Sequence, residues 1–261
     1  MLALVNGLVS VLANSCNSAD SRFDTACYSS SDIITREVAV VGGGSSGTYG
    51  AIKLSDMGRS AVVIEKESLL GGHVNTYTDP ENGVKIDYGV IVFANNSVVI
   101  DFFARFGISL VPLSVPSGGT TVYADFKTGR QLSNFTPDAN LSPYTTLLDS
   151  YPDLSYNWTT LPSPVPQDLL LNFSDFVEKF CLQDFAFSIY SSAATGGLGN
   201  ILQQLTLSVF KAANRVATQG AKVETANHDN HQIYDLALAE LGSNVLLNST
   251  VIAAQRPTNS F

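Results

Sequence analysis

Glu37-Val-Ala-Val-Val-Gly-Gly-Gly-Ser-Ser-Gly47 decides the fold of this chain. The apolar run Val38 to Val41 has the β-branched composition of a buried strand and leads directly into Gly42-x-Gly44-x-x-Gly47. Thr48 to Met57 reads as helix, and a second apolar run, Ala61 to Ile64, ends on Glu65. The expected unit is strand 37–41, helix 45–58 and strand 61–65, opened by a glycine turn and closed by a carboxylate, the order a dinucleotide requires. Gly42 takes the turn off the strand, Gly44 lets the backbone approach a pyrophosphate, and Gly47 lets the helix close on the strand. The first-turn N–H groups lack intrahelical acceptors and carry partial positive charge, so phosphate belongs there, with Ser46 offering a hydroxyl or an N–H. A carboxylate at Glu65 accepts hydrogen bonds from ribose hydroxyls and repels a 2′-phosphate, which disfavours NADP.

The next segment specifies the dinucleotide. It reads Lys66-Glu67-Ser68-Leu69-Leu70-Gly71-Gly72-His73-Val74-Asn75-Thr76-Tyr77, and Ile86-Asp87-Tyr88-Gly89-Val90 follows. Together with the glycine turn, these segments resemble the flavin-containing amine oxidase superfamily, built like glutathione reductase. Their wording is most similar to secreted fungal FAD oxidoreductases of the β-cyclopiazonate dehydrogenase type. Asp125-Phe126-Lys127-Thr128-Gly129 and Phe173-Ser174-Asp175-Phe176-Val177 are similar to that group's substrate-domain strand and helix.

The resemblance implies FAD as cofactor and a hydride transferred to it from a small-molecule substrate, an amine or an apolar secondary metabolite. It implies a double-glycine loop passing close to the pyrophosphate at Gly72 and His73, histidine standing where the family has arginine. That exchange replaces a permanent charge with a titratable one; a covalent flavin bond at His73 is the other reading. Gly89 and Val90 are implied beside the flavin ring, and the Val251 backbone against the adenine. Asp87 is expected to hold its loop by hydrogen bonds. No residue stands out as catalytic, and no spacing suggests a metal site. A flavin-dependent isomerase of unsaturated fatty acids and a non-catalytic FAD-binding remnant are the alternatives.

With 45% hydrophobic and 14% charged residues, the chain has enough apolar material for a sizeable core, and its net charge of −9 excludes nucleic acid and anionic membrane surfaces as partners. Leu2 to Ala13 has the length of a signal-peptide apolar region and is too short to span a bilayer. Asn95, Asn134, Asn140, Asn157, Asn172 and Asn248 stand in glycosylation sequons, Asn140 a poorer acceptor because Pro143 follows and Asn248 in a strand-like run that hinders access. Cys16 and Cys27 form a disulfide if the leader is cut before Cys16, and Cys181 reads as a buried core thiol. These features place the chain in the secretory pathway.

The organisation that follows is α/β. A Rossmann-like FAD-binding domain with a parallel sheet (37–115) carries an inserted, incomplete α+β substrate domain (116–242), and 243–261 return to the first domain. A signal peptide (1–19) and a linker (20–36) precede them. Residues 66–83 read as loop, 84–93 as strand, and Ser97 as the cap of a helix to about Phe106 whose apolar face includes Val98, Phe102 and Phe103. Residues 120–132 read as a hairpin, and 201–216 and 229–241 as helices. His228 and His231 are expected to be solvated residues ahead of the last helix. Superfamily members are much longer than 261 residues, so the chain reads as an N-terminal portion with the isoalloxazine side of its site open.

Overall fold

The two apolar runs pair as parallel strands in unbroken register, Val38 opposite Ala61 through Val41 opposite Ile64. The computed structural model of this chain describes residues 2–5, 19–114, 119–138, 140–151, 154, 161–193 and 197–256. Most of the expected leader, Cys16 and Asn157 lie outside the described residues. In chain order the elements are β1 (Leu2–Val5), β2 (Val38–Val41), α1 (Ser45–Asp56), β3 (Ala61–Ile64), β4 (Val74–Thr78), β5 (Lys85–Gly89), β6 (Phe93–Ala94), α2 (Ser97–Arg105), β7 (Leu110–Pro112), α3 (Ser142–Asp149), α4 (Phe173–Lys179), α5 (Ala186–Ala193), α6 (Thr206–Ala212), α7 (Arg215–Gln219), β8 (Lys222–Thr225), α8 (Gln232–Leu241), β9 (Val245–Leu246) and β10 (Val251–Gln255). Two units divide them: Met1–Val111 with Val223–Phe261, and Pro112–Lys222.

The first unit is α/β. Its parallel sheet has the order β2-β3-β9, with Val63 opposite Val245 and Ile64 opposite Leu246. β3 is the central strand, so Val62, Val63 and Ile64 are all buried and the strand reads as a continuous apolar run rather than an alternating one. α1 contributes Ala51 and Ile52 to the core, and α8 contributes Ile233, Tyr234, Ala237 and Leu241, one stripe of a helix with a period near 3.6 residues. Arg105 at the end of α2 ties the three helices together, 2.8 Å from Asp56 of α1 and 2.6 Å from Glu240 of α8. The guanidinium holds the Asp56 carboxyl below the usual carboxylate range.

Several elements differ from expectation for identifiable reasons. The segment 66–83 contains β4, which pairs antiparallel with β5 from Val74 opposite Gly89 to Thr78 opposite Lys85. β4 reads Val-Asn-Thr-Tyr-Thr, with a single aliphatic residue, and buries only Val74, so it carries no strand-like apolar pattern. On α2 the cap is Asn96, which accepts from the Val99 N–H at 3.0 Å, and Val98 lies exposed while Phe103 is buried. Residues 223–242, expected in the second domain, belong to the first unit because the apolar stripe of α8 buries against α1.

The second unit packs α3, α4 and α6 around Tyr144, Phe173, Phe176 and Phe210, with ring pairs edge-on at 5.2–5.5 Å. The expected helix 201–216 is broken. Phe173 N–H donates to Gln204 O at 2.8 Å and Thr206 N–H donates to Leu171 O at 2.9 Å, so the backbone at 204–206 bonds across to the α4 segment instead of continuing a helix. The expected hairpin at 120–132 is present in short form: Ala124 bridges Gln131, the Leu132 N–H donates to Tyr123 O at 2.8 Å and the Asp125 N–H to Arg130 O at 2.9 Å. Cys181 is exposed, not buried: it follows α4 with φ +54, a turn that swings its side chain out of the core. Cys27 is disulfide-bonded.

The Tyr144 phenol is fully buried, donates to Ala213 O at 3.1 Å, and is pushed well up by burial. A raised folded-state value means the contribution is complete below the unfolded tyrosine value of about 10 and is lost as pH rises beyond it. Urea unfolding should therefore show stability declining in alkali. Tyr144→Phe should cost about 1 kcal/mol at neutral pH, through the unpaired carbonyl, and flatten that alkaline decline; an unchanged alkaline slope would contradict the assignment.

Candidate functional site

The glycine turn is built around missing side chains. A Cβ on Gly47 would lie 1.9 Å from the Gly42 carbonyl oxygen, so α1 sits where only glycine allows it. The Gly42 N–H donates to Ile64 O at 2.8 Å, which anchors the turn to the tip of β3. Gly43 is buried and gives both of its backbone groups to neighbours. Its N–H donates to Glu65 Oε2 at 2.6 Å, and its carbonyl accepts from the Gly71 N–H at 2.9 Å and from Thr48 Oγ1 at 2.8 Å.

The double-glycine loop closes on this turn. Gly44 and Gly71 form a parallel bridge, and a Cβ on Gly72 would meet Gly44 Cα at 3.2 Å. Two stretches of backbone thus approach each other with no side chain between them. Ser45, Ser46, Gly72, His73 and Gly89 are exposed around this junction, whereas Gly43, Gly71 and Glu65 are buried.

Glu65 has a structural task beside any ligand contact. Its carboxylate is only 6% exposed and is held from two sides, by the Gly43 N–H and by the Glu67 N–H at 2.8 Å. Its first task is to fix the glycine turn. Each oxygen retains a second lone pair.

His73 takes part through its backbone. Its carbonyl accepts from the Val90 N–H at 3.1 Å, and a Cβ on Gly89 would lie 2.2 Å from that oxygen. The imidazole itself is exposed beside Gly72. Asp87 holds its loop as expected, accepting from Thr76 Oγ1 at 2.5 Å and from the Asn230 N–H at 2.8 Å. Val251 opens β10, and the chain just before it runs alongside Glu65: Ser249 N–H donates to Glu65 O and Asn248 N–H to Glu67 O, both at 2.9 Å.

Three residues that no motif flagged support the site: Asn230, His231 and Tyr234. His231 is not a solvated cap residue. Its Nδ1 lies 2.8 Å from Val74 O and its side chain is 15% exposed, whereas His228 is 62% exposed. Asn-His-Asp-Asn-His carries no periodicity, and the segment is marked as structural by the burial of Asn230 and the bond of His231 to Val74 O.

A helix N-terminus with open N–H groups therefore lies beside a nearly side-chain-free strip at Gly44 and Gly72, with a buried carboxylate next to it. That arrangement suits a phosphate ester carrying a hydroxylated sugar.

Comparison with known proteins agrees with the geometry. Residues 40–106 match the family described as NAD(P)-binding Rossmann-like domain. The FAD-dependent oxidoreductase pigF of Monascus ruber is 44% identical over 246 residues, covering 92% of this chain and 52% of pigF. Beta-cyclopiazonate dehydrogenase of Aspergillus oryzae is 32% identical over 232 residues, covering 86% of this chain and 50% of that enzyme. The chain spans about half the length of the curated relatives it matches. Putrescine oxidase, solved with putrescine bound, shares the fold with a TM-score of 0.60 at 20% identity, covering 82% of this chain and 51% of the oxidase. The chain carries a Rossmann-like domain and is similar to about half the length of FAD-dependent oxidoreductases, beta-cyclopiazonate dehydrogenase among them.

Proposed function

We propose that the first unit binds FAD, and that the whole protein oxidises a small molecule, an amine or an apolar secondary metabolite. The close approach of Gly44 and Gly72 beside the start of α1 carries this reading, because a pyrophosphate needs bare backbone and free N–H donors together. In the proposal Gly42, Gly44, Ser46 and Gly47 face the pyrophosphate from the helix side, and Gly72 and His73 from the loop side. The exposed His73 imidazole lies within the loop that lines this strip. The spare lone pairs of Glu65 accept ribose hydroxyls. The Val251 backbone borders the adenine, and Gly89 and Val90 border the flavin.

When bound, FAD supplies hydride-accepting chemistry. The residues of this chain bind and orient it. A buried carboxylate at Glu65 selects hydroxyls over a 2′-phosphate, because its own charge repels a second anion. Relatives named FAD-dependent oxidoreductases support the reaction class.

We also infer passage through the secretory pathway. Asn95, Asn134, Asn140, Asn172 and Asn248 are all exposed, including Asn248, which the strand-like pattern around it suggested was hindered. Cys27 is disulfide-bonded, as in an oxidising compartment. Among the described residues no helix is long and apolar enough to cross a membrane. Expression in a secreting host should give a product whose mass falls on treatment with an endoglycosidase; a product unaltered by that treatment speaks against secretion.

Titration with FAD and with ADP, followed by flavin fluorescence and by unfolding midpoint, tests the cofactor assignment. Both ligands should raise the midpoint. Glu65→Gln should lose about 1–3 kcal/mol of stability, because its amide NH2 must face a backbone N–H, and should weaken both ligands. Gly47→Ala should cost about 3 kcal/mol or more, since backbone blocks the new Cβ. Wild-type protein that binds neither ligand would overturn the reading.

A further inference from the structure

We propose that Tyr234 and His231, at the start of α8, are positioning residues that set the geometry of the dinucleotide site, with the Tyr234–Ser45 hydroxyl pair as the contact that orients the first turn of α1. The inference rests on the FAD reading above.

The placement is specific. Tyr234 Oη lies 2.7 Å from Oγ of Ser45, the first residue of α1. The tyrosine is 3% exposed, and burial pushes its phenol up, so it remains a hydroxyl across the ordinary pH range. A buried tyrosine hydroxyl requires a partner, and the partner here is a side chain that is itself exposed. Ser45 therefore serves Tyr234, which leaves Ser46 as the serine free to meet phosphate.

The same two side chains bear on the first of the loop's two glycines. A Cβ on Gly71 would lie 2.9 Å from Tyr234 Cδ2 and 3.2 Å from His231 Cε1. Gly71 is bare because its φ of +107 disfavours a side chain and because Tyr234 and His231 fill the space behind it. Gly72 is bare on the opposite account, its approach to Gly44. One glycine admits the support, and the other shapes the surface.

The segment reaches the remaining site loops as well. His231 bonds Val74 O through Nδ1, and its N–H donates to Thr76 Oγ1 at 3.1 Å. Asn230 donates its N–H to Asp87 and its side-chain amide to Val90 O at 3.1 Å, and Asp229 pairs with Lys85 of β5. Residues 229–234 thus touch α1, the double-glycine loop and the Asp87–Val90 segment. A rigid support for three separate loops is what preorganised binding needs, because a small misplacement of donors costs affinity.

The test uses the full chain, FAD and ADP, and the variants Tyr234→Phe, Ser45→Ala, Ser45→Thr, His231→Leu and the double variant Tyr234→Phe/Ser45→Ala. Tyr234→Phe and Ser45→Ala should each weaken FAD about five- to tenfold. The double variant should lose no more than either single one, because both remove the same contact. Ser45→Thr keeps the hydroxyl and should retain wild-type affinity, and His231→Leu should change the circular dichroism of bound flavin. Ser45 is exposed, so its variants keep the test open if Tyr234→Phe or His231→Leu folds poorly. FAD affinity equal to wild type in Ser45→Ala, or losses that add in the double variant, would overturn the proposal. Wild-type protein that binds neither ligand defeats the FAD reading itself and this inference with it.

Discussion

The peptide groups of Gly43 are the point on which the first unit depends. Its N–H is held by the Glu65 carboxylate, and its carbonyl by the Gly71 N–H and the Thr48 hydroxyl. One residue thus joins the glycine turn to the tip of β3, to the double-glycine loop and to α1. All of these groups are buried or nearly so, where an unmade hydrogen bond costs most. The remaining features of the site, including the bare strip at Gly44 and Gly72 and the open N-terminus of α1, follow from that joint being closed.

This arrangement changes the meaning of Glu65. A carboxylate at the end of the second strand of a βαβ unit reads as a ribose ligand. Here it is first a structural acceptor for two backbone N–H groups. The two roles are compatible because a carboxylate offers four acceptor positions and the backbone uses two of them. They are also coupled, since any change that reorients Glu65 moves the glycine turn it holds. The return segment adds to this coupling by bonding to the backbone of Glu65 and Glu67 through Ser249 and Asn248.

The second unit is organised by different physics. Its core is a cluster of aromatic rings, mostly meeting edge to face, and the fully buried phenol of Tyr144 is satisfied by a backbone carbonyl. Short helices joined by tight turns carry that cluster, and tertiary backbone bonds at 204–206 divide what the apolar pattern presents as one helix. Among the described residues of this unit, nothing repeats the glycine chemistry of the first.

The amino-acid sequence by itself determined the βαβ unit, the parallel pairing of its strands and the glycine positions, because these depend on local period, β-branched composition and the absence of Cβ atoms at fixed spacing. The double-glycine loop and the Asp87 loop were legible through the family resemblance carried by Gly71-Gly72-His73 and Asp87-Tyr88-Gly89. The tertiary structure alone decided that β4 is a strand, that Val98 faces solvent and that α8 belongs with the first unit, since each rests on a partner distant in sequence. It alone decided how Glu65 divides its lone pairs, and it alone recruited Asn230, His231 and Tyr234 to the site. Those three lie 140–189 residues beyond the segments they support, and hydrogen bonds made across such a separation leave no period for a sequence to display.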